Sequence, residues 1–118
     1  MTFEHTFTDL PAENEYPKLI RDRIPEIILA DGRKVDTRTL DDEEFLQYLL
    51  KKITEEAQEL ENATTDSNIL EEIADVREIL DSILELKSVS PEEIQAIQDE
   101  KRQKRGGFKL RLLMLSND

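Results

Sequence analysis

Between residues 41 and 87 apolar side chains recur three and four apart in two successive runs. Phe45, Leu46, Leu49, Ile53, Ala57 and Leu60 form the first, and Ile69, Ile73, Val76, Leu80, Ile83 and Leu84 the second. That period belongs to a helix with one face turned to a core and not to a strand, whose side chains alternate. Asp41 and Glu44 stand at capping-box spacing before the first run, which ends near Asn62; the second spans about Ser67 to Lys87.

Two shorter helices flank this pair. Asp22 is placed to cap one that carries Ile24, Ile27 and Ile28, with Pro25 tolerated in its first turn and Asp31-Gly32 ending it. Ser90-Pro91-Glu92-Glu93 supplies an N-cap, a first-turn proline and a capping-box glutamate for the last, which Gly106-Gly107 stops. The predicted fold is therefore all-α, an antiparallel bundle of about four helices. Residues 1–15 read as an extended tail, with Phe3 and Phe7 alternating around strand period, and residues 16–118 as a single helical domain. Phe108 to Leu115, apolar and partly alternating, reads as a short strand or a packed tail.

Apolar residues make up 37% of the 118 and aromatics 5%, lean for one self-sufficient core. A homodimer or larger homo-oligomer is expected to complete it. No apolar run is long enough to span a bilayer and no signal pattern opens the chain, so no membrane partner and a cytoplasmic location are expected. Cysteine is absent, which excludes thiolate metal sites and thiol nucleophiles. The net charge of −12 argues against a nucleic-acid polymer, whose binding requires Lys and Arg to neutralise phosphates. The charge is unevenly spread, however. Lys101, Arg102, Lys104, Arg105, Lys109 and Arg111 cluster at one end and Lys18, Arg21 and Arg23 at the other, with carboxylates crowding the middle. Such a layout suits a metal ion and a small polyphosphate.

The middle carries the chemistry. Glu55-Glu56-x-x-Glu59 lies on the second helix and Glu72-x-x-Asp75 on the third, with twelve residues between Glu59 and Glu72. Residues three apart share a helix face. At about 100° per residue Glu56 falls inside the apolar arc and Glu59 at its edge. Glu72 continues the row of Val76, Ile79 and Ile83, with Asp75 just beyond. Carboxylates turned into a helix seam repel by roughly 1 to 4 kcal/mol per close pair and call for a cation. An all-oxygen donor set selects Mg2+ or Mn2+ over zinc.

This E-E-x-x-E…E-x-x-D pattern resembles the signature of the MazG-like all-α nucleotide pyrophosphatase superfamily. Lys18-Leu19-Ile20-Arg21-Asp22-Arg23-Ile24-Pro25 is similar to the K-L-V-R-D-x-I-P opening of its small stand-alone house-cleaning group. Lys104-Arg105-Gly106-Gly107-Phe108 is similar to that group's closing R-G-G-F. The likeness covers about residues 16 to 115. It implies magnesium-dependent hydrolysis of a nucleoside triphosphate to monophosphate and pyrophosphate. It also implies Glu56, Glu59, Glu72 and Asp75 as metal ligands, with Glu55 and Glu56 serving catalysis and Glu55 either binding a second metal or orienting the attacking water. Lys18, Arg21, Lys101, Lys104 and Arg105 become the residues expected to hold substrate phosphates. Two other readings fit the residues: a phosphoribosyl-ATP pyrophosphohydrolase, and a non-catalytic helical dimer whose carboxylates serve only solubility.

Overall fold

A computed structural model describes residues 16–118; the extended tail expected over residues 1–15 lies outside the described residues. Four helices and no strand occur among them: α1 (Ile24–Ala30), α2 (Asp42–Asn62), α3 (Asp66–Leu86) and α4 (Pro91–Arg105). The all-α class follows the period of the apolar residues. The chain forms two compact units that divide at Ile83 and Leu84, inside α3.

The first unit holds α1, α2 and most of α3. Asp22 does not cap α1: Arg23 occupies that position without a side-chain cap. The amide of Ile24 is already bonded to the Arg21 carbonyl at 3.1 Å. Pro25, one residue on, has no N–H to offer a cap. Arg23 instead braces the first turn through Glu26 at 2.6 Å. The helix ends as Asp31-Gly32 implies. Gly32, at φ 78, donates to the Leu29 carbonyl, and Arg33 donates to that of Ile28. Those paired bonds satisfy the last carbonyls, and the positive φ is available to glycine without a Cβ clash.

Asp41 caps α2, accepting from the Glu44 amide at 2.9 Å. The reciprocal half of the capping box is missing, because Glu44 turns its carboxylate to Arg38 in a two-pronged pair of 3.0 and 2.7 Å. Three residues separate α2 from α3, and Thr65 Oγ1 accepts from the Asn68 amide at α3's start. So short a link makes the two helices antiparallel neighbours. Their seam contains the only buried side chains among the described residues: Leu49, Ile79 and a carboxylate, Glu56.

The second unit starts with the last turn of α3, closed by bonds from Ser88 to Glu85 and from Val89 to Leu84. Ser90 then opens α4 with the full capping box, its Oγ accepting from the Glu93 amide while Glu93 reaches back to the Ser90 amide. Ser90→Ala removes one half of this exchange and is expected to cost about 1 kcal/mol. Local loss of amide-exchange protection around residues 91–94, without loss at α2, is the corresponding measurement. Gly106, at φ 80, ends α4. Phe108 to Leu115 is neither the strand nor the packed tail expected: it forms one turn at 108–111 and then continues without regular secondary structure, with its apolar side chains in solvent. No residue of α4 is buried either.

Candidate metal centre

The centre is assembled on the facing sides of α2 and α3. Glu56 is carried into the seam by its register with Leu49, seven residues earlier and two turns away on the same face. Glu72 stands in the same relation to Ile79, with the chain direction reversed. Glu59, one turn beyond Glu56, brings a third carboxylate in from the solvent side. One oxygen each from Glu56, Glu59 and Glu72 lie within 4.8 Å of one another. Oε2 of Glu56 and Oε2 of Glu72 are buried with no hydrogen-bond partner.

Such atoms are expensive to leave unsatisfied. The cost appears in their acidity. Burial first, then the negative charge of Glu59 and Asp75, pushes the Glu56 carboxyl up to about 8, with the Lys52 ammonium opposing. Burial and the same two neighbours raise Glu72. Without a cation, therefore, the cluster relieves its repulsion by holding a proton near neutral pH.

Asp75, expected as a fourth ligand, lies outside the close trio. Arg21 Nη2 donates to its Oδ1 at 2.7 Å. Its charge nevertheless acts on both Glu56 and Glu72. Arg21 therefore pairs with Asp75, not with its neighbour Asp22. Lys18 Nζ donates to Glu55 Oε1 at 2.5 Å from a nearly buried position. Thus Lys18 and Arg21, expected to face substrate, are turned onto two carboxylates at the margin of the cluster. The segment before α1 thereby clamps α2 through Glu55 and α3 through Asp75.

Lys51 and Lys52 are functional candidates that sequence reasoning passed over. Lys52 lies 3.7 Å from Glu55 and 3.9 Å from Glu56, and burial plus the nearby Lys18 lower its pKa below the usual ammonium value. A small cleft beside Glu55 is lined by Lys18, Tyr48, Lys51 and Lys52, with the Lys51 ammonium 4.9 Å from the Tyr48 ring centre. The available signal was their position: Lys52 is one turn before Glu56 on the same helix face. Lys101, Lys104 and Arg105 lie in the second unit on exposed turns of α4, where Lys104 pairs with Glu100 at 2.9 Å.

No family model matches the chain, and no solved structure matches it. An uncharacterised protein of Mycolicibacterium smegmatis (strain ATCC 700084 / mc(2)155) is similar to it, with 48% identity over 54 residues. That match takes in 46% of this chain and 55% of the relative, so the chain spans about half the length of the curated relative it matches. No helix among the described residues is long and apolar enough to cross a membrane.

Proposed function

We propose that the chain is a magnesium-dependent nucleotide pyrophosphohydrolase that cleaves a nucleoside triphosphate to its monophosphate and pyrophosphate. The observation that carries this reading is the convergence of Glu56, Glu59 and Glu72, with two buried oxygens left without partners. A set made only of carboxylate oxygens fits Mg2+ or Mn2+, and a cation would satisfy both orphaned atoms at once. The likeness of the three sequence segments to the MazG-like group supports the substrate class.

Glu56, Glu59 and Glu72 would hold the metal, with Asp75 at the margin under the control of Arg21. When bound, the cation supplies charge neutralisation at the phosphoryl oxygens and makes water a better nucleophile. The surrounding residues do the positioning. Lys18 fixes the carboxylate of Glu55, which can then orient a water molecule toward phosphorus. That water forms the new phosphorus–oxygen bond, its proton passes to a carboxylate of the cluster, and the anhydride bond to pyrophosphate breaks. The cleft of Lys51 and Lys52 lies beside Glu55, where ammonium groups would accept phosphate oxygens.

Pyrophosphate release from a panel of normal, damaged and phosphoribosylated nucleotides, with magnesium or with chelator, tests the reading. Release that requires magnesium is expected. Activity confined to phosphoribosyl-ATP would replace the substrate class with that of the histidine-pathway enzyme. Silence across the panel, with magnesium present, would leave the interaction-module reading instead.

A further inference from the structure

We propose that the segment Gly106–Leu115 is an arm that packs on the outer face of α3 in a second copy of this chain, the two copies exchanging arms reciprocally. Phe108, Leu110, Leu112, Leu113, Met114 and Leu115 are between 75% and 96% exposed. Isolated exposed apolar residues are ordinary, but six in eight positions are not. Gly106 and Gly107 precede them, and a Cβ at either would meet nothing within 4 Å. The arm therefore leaves α4 through a joint that no packing restrains.

A receiving surface exists on the same chain. Beyond the seam side, α3 carries a second apolar row, Leu70, Ile73 and Leu80, spaced three and seven apart and exposed at 40 to 66%. Leu50 on α2 is also exposed. A helix apolar on two faces has two neighbours to satisfy. With only Leu49 and Ile79 buried among the described apolar residues, the unit does not satisfy both by itself.

Charge identifies the occupant. Lys104, Arg105, Lys109 and Arg111 bracket the base of the arm, whereas α2 and α3 together hold fourteen carboxylates against three cations. A cationic, apolar arm is thus drawn to a helix pair that is acidic as a whole, and both belong to this sequence; on the apolar row itself Arg77 stands between Ile73 and Leu80, with Asp66 and Asp81 beside it. An acidic membrane would supply the same two attractions, but membrane-surface segments sort their apolar residues on one helical face. Here the arm has no helix, and Leu112, Leu113, Met114 and Leu115 are four consecutive exposed apolar residues that set no polar face apart. The area also suffices. Six such side chains remove roughly 400 to 700 Å2 from water at the usual area coefficients. Two reciprocal arms with the faces that receive them pass the approximately 1,000 Å2 that a specific interface needs. Reciprocity gives closed twofold symmetry rather than a filament.

The test is mass by light scattering on the full chain at micromolar concentration. The wild type is expected at twice 13.7 kDa. Leu112→Glu with Leu115→Glu, and separately Leu70→Glu with Leu80→Glu, should each raise the dimer dissociation constant at least a hundredfold. Helical circular dichroism should hold in both, because these side chains are exposed within the chain. The absence of cysteine permits a register test. Mixing Leu113→Cys with Leu80→Cys should give a disulfide-linked species of double mass under oxidation. A wild type of single-chain mass, or arm variants that keep double mass, would overturn the proposal. So would cross-linking of Leu113→Cys only with itself, and so would a single-chain wild type that sediments with acidic phospholipid vesicles. None of these readouts requires hydrolysis, so the arm and the proposed reaction stand or fall separately.

Discussion

Glu56→Gln is expected to abolish hydrolysis while leaving a metal-free protein at least as stable as the wild type. The side chain keeps its shape and loses its charge, and both consequences follow from its position. It is buried in the seam, within reach of Glu59 and Glu72, and one of its oxygens has no partner. Loss of a ligand from an all-carboxylate set should lower turnover by roughly a thousandfold, in the range seen when a preorganised electrostatic group is deleted. The stability term has the opposite sign. A carboxyl of ordinary acidity 4.5 that is pushed up to about 8 by burial must take up a proton when the chain folds at neutral pH. Each unit is worth about 1.4 kcal/mol, so at pH 7 glutamine removes no more than roughly 3 kcal/mol of cost. Melting in chelator should rise by several degrees in a domain of this size. A variant that turns over normally would remove Glu56 from the metal site. One that melts well below the wild type would show that the carboxyl makes a contact that glutamine cannot replace.

The second large effect concerns pH and magnesium together. The native state of the metal-free protein holds a proton on Glu56 that the unfolded chain has lost above about pH 4.5. Native chains therefore bind more protons than unfolded ones between about 4.5 and about 8, and stability falls as pH rises through that window. Above it both states are ionised and the slope vanishes. Glu72, raised by burial and the same neighbours, adds in the same direction. Magnesium reverses the trend, because binding expels the proton and supplies the charge that the proton had supplied. A hundredfold excess over Kd stabilises by about 2.7 kcal/mol. The gain over chelator should grow with pH and exceed that from sodium at matched ionic strength, which screens exposed charges alone. Melting curves at three pH values under these conditions are the measurement. A stability that climbs with pH in chelator, or a magnesium effect that sodium reproduces, would mean that the carboxylates do not converge on a cation.

Much of the seam could be read from residue spacing because it depends on helix geometry alone. Period places α2 and α3 within a residue of their bounds, and Asp41 and Ser90 mark the starts of α2 and α4 because each serves an amide within the same turn. The burial of Glu56 follows from its angle relative to Leu49 and Ile53. Where local rules compete, spacing misleads. Asp41 and Glu44 have capping-box spacing, but Arg38 offers Glu44 a charged partner. Asp22 precedes an apolar run, but Pro25 lacks the amide that a cap would need.

Alone, the sequence determined an all-helical chain and a pair of helices with carboxylates on their apolar faces. Helical period and capping are set within a few residues, so no distant partner is needed to know them. Only the tertiary structure decided which carboxylates meet. Glu59 and Glu72 converge with Glu56, whereas Asp75 is taken by Arg21, fifty-four positions away, and Glu55 by Lys18, thirty-seven away. Which of many acids a lysine or arginine reaches depends on chain reversal between helices, and charge is not directional enough to encode that choice in spacing. The same holds for Phe108 to Leu115. Their composition requires a cover, while only the folded chain shows that none of those six apolar side chains has one within it.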